Sequence, residues 1–544
     1  MKILLVAVNA KYIHSCPAVY SLKAYADKYK TGNEEIEIAE YTINDRYGDI
    51  LSDIILKNAD VVAFATYIWN VDRVLKLISD IRKIREHTVK IWVGGPESTN
   101  SPEKFILEST ADICLQGEGE EIFKNLCDYT EQASDSGTSE DYIQGAAHIR
   151  GLAYRDLEHP DRIHYTGFGD IVEMDKIPFL YEDLSLFDNR IIYYESSRGC
   201  PFNCSYCLSS IDRKMRFRNI DVVKKELQFF LDNNVKQVKF VDRTFNCDKH
   251  HAMEIWKYIN EHDNGITNFH FEIEAGLMTD EQIAYVNTLR RGLIQMEIGI
   301  QSTNEETLKL VNRKYEIDKI EHVVAGIRKG ENVNLHLDLI AGLPLEDMTI
   351  FEKSFNRVYN MRPNQFQLGF LKVLNGTEIA ARSEEFGIVS SEDSPYQVLK
   401  TKWMSFEDLI KLEKISDMIE TFYNSQFFIR SLPFVEQLFD TPFEMYSVLS
   451  DYFVSKEYHI KQPSAQKRYD ILKDFVHSIT EDEQKLKQIE TYIDFDKCLH
   501  FNKSRRMEYT VEFELADGKK TYHFDYSRRN PVNSEAEYQI VEKV

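Results

Sequence analysis

Three cysteines fall within an eight-residue window in Ser196-Ser-Arg-Gly-Cys200-Pro-Phe-Asn-Cys204-Ser-Tyr-Cys207, a CxxxCxxC spacing. With eight cysteines in 544 residues, random placement rarely produces that pattern. Thiolates are soft ligands for iron and zinc, and a loop of this length can wrap three of them around one cube-shaped iron–sulfur cluster, leaving one iron without a protein ligand. A zinc knuckle completed by a distant residue is the alternative, although zinc motifs usually pair two CxxC-like halves and no second half follows. Clustered rather than dispersed cysteines also speak for a reducing compartment and against a secreted disulfide scaffold. Cys16, Cys114, Cys127, Cys247 and Cys498 read as small buried hydrophobes.

The elements that must position this loop follow from hydrophobic periodicity. Strand patterns near 191–195, 236–241, 269–274, 294–300, 334–340 and 365–371 alternate with helical patterns. Six βα units predict a partial barrel over 191–375, with its reactive face at the C-terminal strand ends and the cysteine loop directly after the first strand. An earlier series, with strands at 2–8, 35–41, 60–66, 89–94 and 112–116, predicts a flavodoxin-like, Rossmann-type domain over 1–140. Ligands of such open sheets bind in the crevice outside the strand C-termini. Residues 131–150 are rich in Ser, Gly and acidic side chains and read as a linker or exposed loop, and 141–190 as linker and bridging strands. Residues 376–544 are mainly helical in pattern and end in a predicted hairpin, Arg506 to Leu515 and Lys520 to Tyr526 around an Asp517-Gly518 turn. The fold class is thus α/β: an N-terminal flavodoxin-like domain, a partial (β/α)6 barrel and a helical C-terminal domain.

A CxxxCxxC loop after the first strand of a partial barrel resembles the radical S-adenosylmethionine (SAM) superfamily. The resemblance implies that Cys200, Cys204 and Cys207 hold a [4Fe-4S] cluster, that SAM chelates the open iron, and that one electron cleaves its sulfonium to a 5′-deoxyadenosyl radical. It also suggests further SAM contacts. Tyr206 precedes the third cysteine at the position that packs near adenine. Asp242 and Thr244 stand where relatives often carry a Gly-Gly-Glu run, absent here. Glu274 shares a strand face with Glu272. Gln301 and Ser302 close the fourth strand in Gly299-Ile-Gln-Ser, and Gly342 follows the fifth. Arg216 or Arg218 offers a fork for the SAM carboxylate, and Arg218 is the one selected.

The first domain resembles the cobalamin-binding domain of one radical SAM subfamily. The resemblance rests on Thr66, Tyr67, Trp69 and Asn70 after strand three, Gly94, Gly95 and Pro96 after strand four, and Gly117 and Glu118 after strand five. Glu120 doubles as a helix cap. No Asp-x-His-x-x-Gly follows strand one, so no histidine ligand to cobalt is predicted, and His14 is left out of the metal set. The implied activity is methyl transfer to an unactivated carbon by a cobalamin-dependent radical SAM enzyme. The alternatives are a radical rearrangement, cyclisation or redox reaction without methyl transfer, and a non-enzymatic cobalamin or redox sensor. A methylthiotransferase would need a second cysteine set in the first domain, where the cysteines are scattered.

Composition narrows the partners. A formal charge of −23 repels phosphate backbones and anionic lipid, which makes nucleic acid an unfavourable partner. No apolar run approaches the ~20 residues of a membrane span, and the opening Lys2–Val8 run is too short for a secretory signal, so a cytoplasmic protein is expected. The resemblance implies a reducing donor such as a flavodoxin or ferredoxin, and a small-molecule or peptide substrate that the sequence leaves unnamed. Residues 376–544 resemble an extension found on some cobalamin-type radical SAM proteins and are assigned to substrate recognition. The basic tail residues Lys503, Arg505, Arg506, Lys519, Lys520, Arg528 and Arg529 read as a solvated face balancing nearby carboxylates.

Overall fold

Strand β1 (Lys2–Asn9) serves two cores at once: Ile3, Leu5 and Ala7 pack on one sheet face, and Leu4, Val6 and Val8 on the other. That period of two marks a strand buried on both sides. The computed structural model describes residues 1–133, 139–501, 507–529 and 535–541. The chain forms two compact units, one of Met1–Leu277, Lys372–Glu385 and Val389–Val398, the other of Met278–Leu371, Phe386–Ile388 and Leu399–Val544.

In the first unit β1 is joined by β2 (Glu35–Thr42), β3 (Val61–Ala65), β4 (Lys90–Gly94) and β5 (Ile113–Leu115), all parallel, in the order β2-β1-β3-β4-β5. This is the doubly wound order, with its switch point between β1 and β3. Helices α1 (Pro17–Tyr29) and α5 (Gly119–Ala133) cover one face, and α2 (Tyr47–Leu56) and α3 (Val71–Arg85) the other. A short α4 (Pro96–Asn100) follows β4.

Two stretches differ from expectation. The second half of the expected exposed loop is α6 (Ser139–Ala146), and Tyr142, Ile143, Ala146 and Ile149 belong to the core under α5. Its few apolar residues are spaced one helical face apart, a signal masked by the polar run before it. Residues 134–138 of that loop lie outside the described residues. The bridging strands β6 (Leu152–Arg155) and β7 (Ile163–Tyr165) add antiparallel to β5 as the last two strands of a seven-stranded sheet.

The barrel strands follow in chain order. The first unit holds β8 (Ile192–Tyr194), a two-residue ladder of β9 (Ser197–Arg198) with β10 (Arg216–Phe217), and then β11 (Gln237–Phe240) and β12 (Asn268–Ile273). β11 pairs in parallel with both β8 and β12. The second unit holds β13 (Ile294–Gln301), β14 (Asn334–Ala341) and β15 (Gln365–Phe370), also parallel. Buried Ile294, Met296, Ile298 and Ile300 alternate with half-buried Gln295, Glu297, Gly299 and Gln301. The same unit carries the C-terminal helices and an antiparallel sheet of Glu508–Leu515, Gly518–Arg529 and Ala536–Val541. The expected hairpin therefore has a third strand. Lys503, Arg505 and Arg506 lie outside the described residues, whereas Lys519 pairs with Glu512 and Lys520 with Asp517. Among the described residues no helix is long and apolar enough to cross a membrane.

Candidate functional site

The cysteine loop leaves β9 through Gly199, whose φ of +91° suits glycine, and an added Cβ there would stand 2.6 Å from the Lys214 carbonyl. The Cys200 N–H donates to the Asp212 carbonyl at 3.0 Å and the Cys207 N–H to the Cys204 carbonyl at 3.1 Å. Cys204 is buried, Cys200 and Cys207 are half-buried, and none of the three is in a disulfide. Three thiols on a loop tied at both ends form a donor set that fits a [4Fe-4S] cluster with one iron left for another ligand.

Other residues of the same unit surround the loop. The Thr244 hydroxyl lies 3.4 Å from the Cys200 sulfur. Asp242, 1% exposed, accepts from the Ser196 N–H, the Ser196 hydroxyl and the Ser197 hydroxyl at 3.0, 2.7 and 2.5 Å. Burial raises its pKa despite those donors. Its geometry braces the chain between β8 and the cysteines. Arg218 spends both terminal nitrogens inside the protein, on Glu226 at 2.6 Å and on the Met174 and Ile177 carbonyls. With both Nη2 hydrogens taken by Glu226 and the Ile177 carbonyl, no two-nitrogen fork is left for a SAM carboxylate. Glu274 is buried just past β12, accepts from the Gly276 N–H and exchanges backbone hydrogen bonds with the Asn246 amide. Tyr206 is half-buried between the last two cysteines.

In the second unit, Gln301 has a φ of +68° at a register shift in β13, and Gly342 a φ of +88° after β14. Ser302 is fully buried and donates to the Glu346 carboxyl. Glu346, also fully buried, has its pKa pushed up to about 8 by burial. Glu346 follows Gly342 by four residues, and nothing in that spacing distinguishes a buried acid from a helix-start acid.

A cavity of about 680 Å³ opens in the first unit at the C-terminal ends of the N-terminal strands. Tyr67, Trp69, Gly94, Gly95, Gly117 and Glu118 line it. The Tyr67 and Trp69 rings stack at 4.5 Å and 5°, and Trp69 donates its indole N–H to the Val8 carbonyl at 3.0 Å. Gly95 has a φ of +115°, and a Cβ there would meet the Thr66 carbonyl at 2.5 Å, so only glycine lets this floor close. Gly117, with φ +105°, continues it. The mostly apolar cradle is of a size and kind suited to a cofactor, and its flat aromatic pair and glycine floor fit a bulky planar group such as cobalamin.

Thr66, Asn70 and Pro96 stand behind this wall. The Thr66 hydroxyl donates to the Gly94 carbonyl at 3.0 Å, the Asn70 amide donates to the Val8 and Ala65 carbonyls, and Pro96 opens α4. They shape the loops and leave the surface to Tyr67, Trp69 and the glycines. His14, Arg198 and Glu120 are among the residues outside the predicted set that also line the cavity. His14 has its Nδ1 2.6 Å from the Tyr193 hydroxyl, and Arg198 and Glu120 form an ion pair at 2.5 Å. Arg198 sits two residues before Cys200, but its neighbours come from a remote helix, so no local pattern announces it.

Comparisons with known proteins agree with this layout. Residues 3–127 match the B12 binding domain, 194–358 the radical SAM superfamily, and 384–542 a protein family of unknown function, DUF4080. The chain is 23% identical over 394 residues to an uncharacterized methyltransferase, PH0819, of Pyrococcus horikoshii, covering 67% of this chain and 77% of that protein. It is 23% identical to the cobalamin-dependent radical SAM methyltransferase TokK of Streptomyces tokunonensis, over 54% of this chain and 44% of that one. The solved structure of the cobalamin-dependent SAM radical enzyme OxsB with aqua-cobalamin bound superposes with a TM-score of 0.60 at 15% identity, over 91% of this chain and 79% of that one. The radical SAM domain implies a [4Fe-4S] cluster and SAM, and the B12 binding domain implies cobalamin. The chain thus carries, in order, a region matching the B12 binding domain, one matching the radical SAM superfamily and one matching DUF4080.

Proposed function

We propose that the protein is a cobalamin-dependent radical SAM methyltransferase acting on an unactivated carbon of a small-molecule or peptide substrate. The observation that carries this reading is that Arg198, two residues from the first cysteine, lines the same cavity that Gly95 and Gly117 floor. When bound, the cluster and SAM supply one-electron cleavage of the sulfonium, and cobalamin supplies methyl delivery. Cys200, Cys204 and Cys207 would hold the cluster. Tyr67, Trp69, Gly94, Gly95, Gly117 and Glu118 would hold cobalamin, Trp69 being fixed by its hydrogen bond to β1. For SAM, the family resemblance offers Tyr206, Thr244 and Glu274 within the first unit. The apolar walls exclude water from the reacting groups. A flavodoxin- or ferredoxin-type donor would supply the electron, and the C-terminal domain would select the substrate.

The test is anaerobic reconstitution with iron, sulfide and cobalamin, followed by reductant and SAM, measuring bound cobalt, 5′-deoxyadenosine and S-adenosylhomocysteine. The expected result is stoichiometric cobalt with both nucleoside products. C200A, C204A and C207A should each abolish deoxyadenosine. Deoxyadenosine without cobalt uptake would replace methyl transfer by a radical rearrangement, cyclisation or redox reaction, and cobalt with neither product would leave substrate gating or a sensor role.

A further inference from the structure

Arg198 is the centre of an ion network in which the proposed chemistry gives a role only to Glu118, at the cavity wall. It is half-buried by residue and its side chain is 15% exposed, yet each of its nitrogens faces a carboxylate. Nε lies 2.9 Å from Glu195, Nη2 2.5 Å from Glu120, and Nη1 3.4 Å from Glu118. Glu120, 4% exposed, also accepts from the Ser21 hydroxyl at 2.8 Å. Burial works against its charge, but Arg198 outweighs that penalty and holds its pKa below the ordinary carboxyl value.

The network continues on the other side of the ladder. Arg216 stands opposite Arg198 in the β9–β10 register and pairs with Glu118 and with Asp212, each at 2.5 Å. The Asp212 carbonyl in turn accepts the Cys200 N–H. One continuous set of contacts therefore runs from the first turn of α5, through two guanidinium groups, to the backbone of the first cysteine. Glu118 and Glu120 line the cavity at one end, and Cys200 stands at the other.

The Arg198–Glu120 pair, at 15% and 6% side-chain exposure, tolerates little displacement, because separating it leaves uncompensated charge in a medium that solvates it poorly, and Arg198 is two residues from Cys200. The α5 turn and the cysteine loop are thereby held in one relative geometry. We propose that Arg198 is a positioning residue that couples the two cofactor sites, so that filling the cavity raises the affinity of the cysteine loop for its cluster and the reverse. The proposal rests on the functional reading above, since it assigns cobalamin to the cavity and a cluster to the loop. Such coupling is reciprocal by linkage.

The experiment is an anaerobic absorbance titration of hydroxocobalamin into the full-length protein, with the cluster reconstituted and with it absent. Wild type should bind cobalamin about tenfold more tightly when the cluster is present, within the usual range of coupling between sites. In E120Q and in R198K, each of which keeps side-chain size but breaks the charged fork, that ratio should fall to about one while both cofactors still bind. Should either variant lose its fold by circular dichroism, the triple variant E120Q/E195Q/R198M, which removes Arg198 together with the two carboxylates that depend on it while Glu118 keeps Arg216, supplies the same ratio. A merely structural Arg198 would weaken both titrations equally and leave the ratio unchanged, and that result, or a wild-type ratio of about one, overturns the coupling. Failure of either cofactor to bind wild type would overturn the functional reading and the coupling with it.

Discussion

At the residue scale, Glu346 is the side chain whose protonation the fold controls most plainly. Its ordinary carboxyl value is 4.5, and burial beside Ser302 pushes it up to about 8. The folded chain therefore keeps a proton that the unfolded chain releases, so this group's contribution to stability is largest at low pH and declines as pH rises from the ordinary value to the raised one. Urea unfolding at about pH 5 and about pH 8 should show wild type losing more stability across that interval than E346Q, which carries no titrating proton. Equal slopes in the two proteins would contradict the assignment. Arg218 carries the opposite lesson: its type and position suit a carboxylate ligand, but a guanidinium is recruited first by the nearest buried acid, Glu226.

At the element scale, two glycines hold loops in shapes no other residue adopts without strain. G95A should add a Cβ against the Thr66 carbonyl and cost on the order of 1–3 kcal/mol of local strain, relieved by opening the floor of the cavity. Cobalamin retention on gel filtration should fall while far-ultraviolet circular dichroism stays as in wild type. G199A places its Cβ on the Lys214 carbonyl and should likewise lower the iron content after reconstitution. Unaltered cofactor content in these variants would show that the loops relax freely.

The same scale explains what was legible beforehand. The eleven parallel strands follow from periodicity, because β1, with both faces buried, and β13, with alternating faces, show the two patterns a parallel sheet produces, whereas Ala536–Val541 does not. The cysteine loop was legible because its ligands are local in sequence. β6 and β7, with four and three residues, are too short for their sequence to reveal which sheet they join. Thr66 and Asn70 sit in a strand-end loop that the sequence points at the ligand, but their polar atoms satisfy neighbouring backbone. Glu120 and Arg198 meet across 78 residues, a contact that spacing cannot report.

At the scale of the whole molecule, the second unit joins the last barrel strands to the DUF4080 region through one aromatic core. Tyr359 lies 3.2 Å, hydroxyl to hydroxyl, from Tyr446 and donates to Glu436 at 2.5 Å, and Glu436 also holds Arg362 at 2.6 Å. Phe355 packs edge-on against Phe443. Truncation after residue 383 would strip Phe443, Tyr446 and Glu436 from that core, and the shortened chain should be insoluble or lack near-ultraviolet dichroism. A milder change, F443A, should cost about 3–5 kcal/mol in urea unfolding, as for other buried aromatic truncations. A soluble, cooperatively folding truncation would show instead that the barrel half stands without the C-terminal region.

The account as a whole depends on three thiolates sharing one iron–sulfur cube with an open corner. Electron paramagnetic resonance of the anaerobically reconstituted, reduced protein tests this directly, alongside iron and sulfide analysis. The account predicts about four irons per chain, a reduced-cluster signal whose g-values shift when SAM is added, and loss of that signal in C200A, C204A and C207A. Zinc in place of iron, or a cluster signal indifferent to SAM, would contradict it.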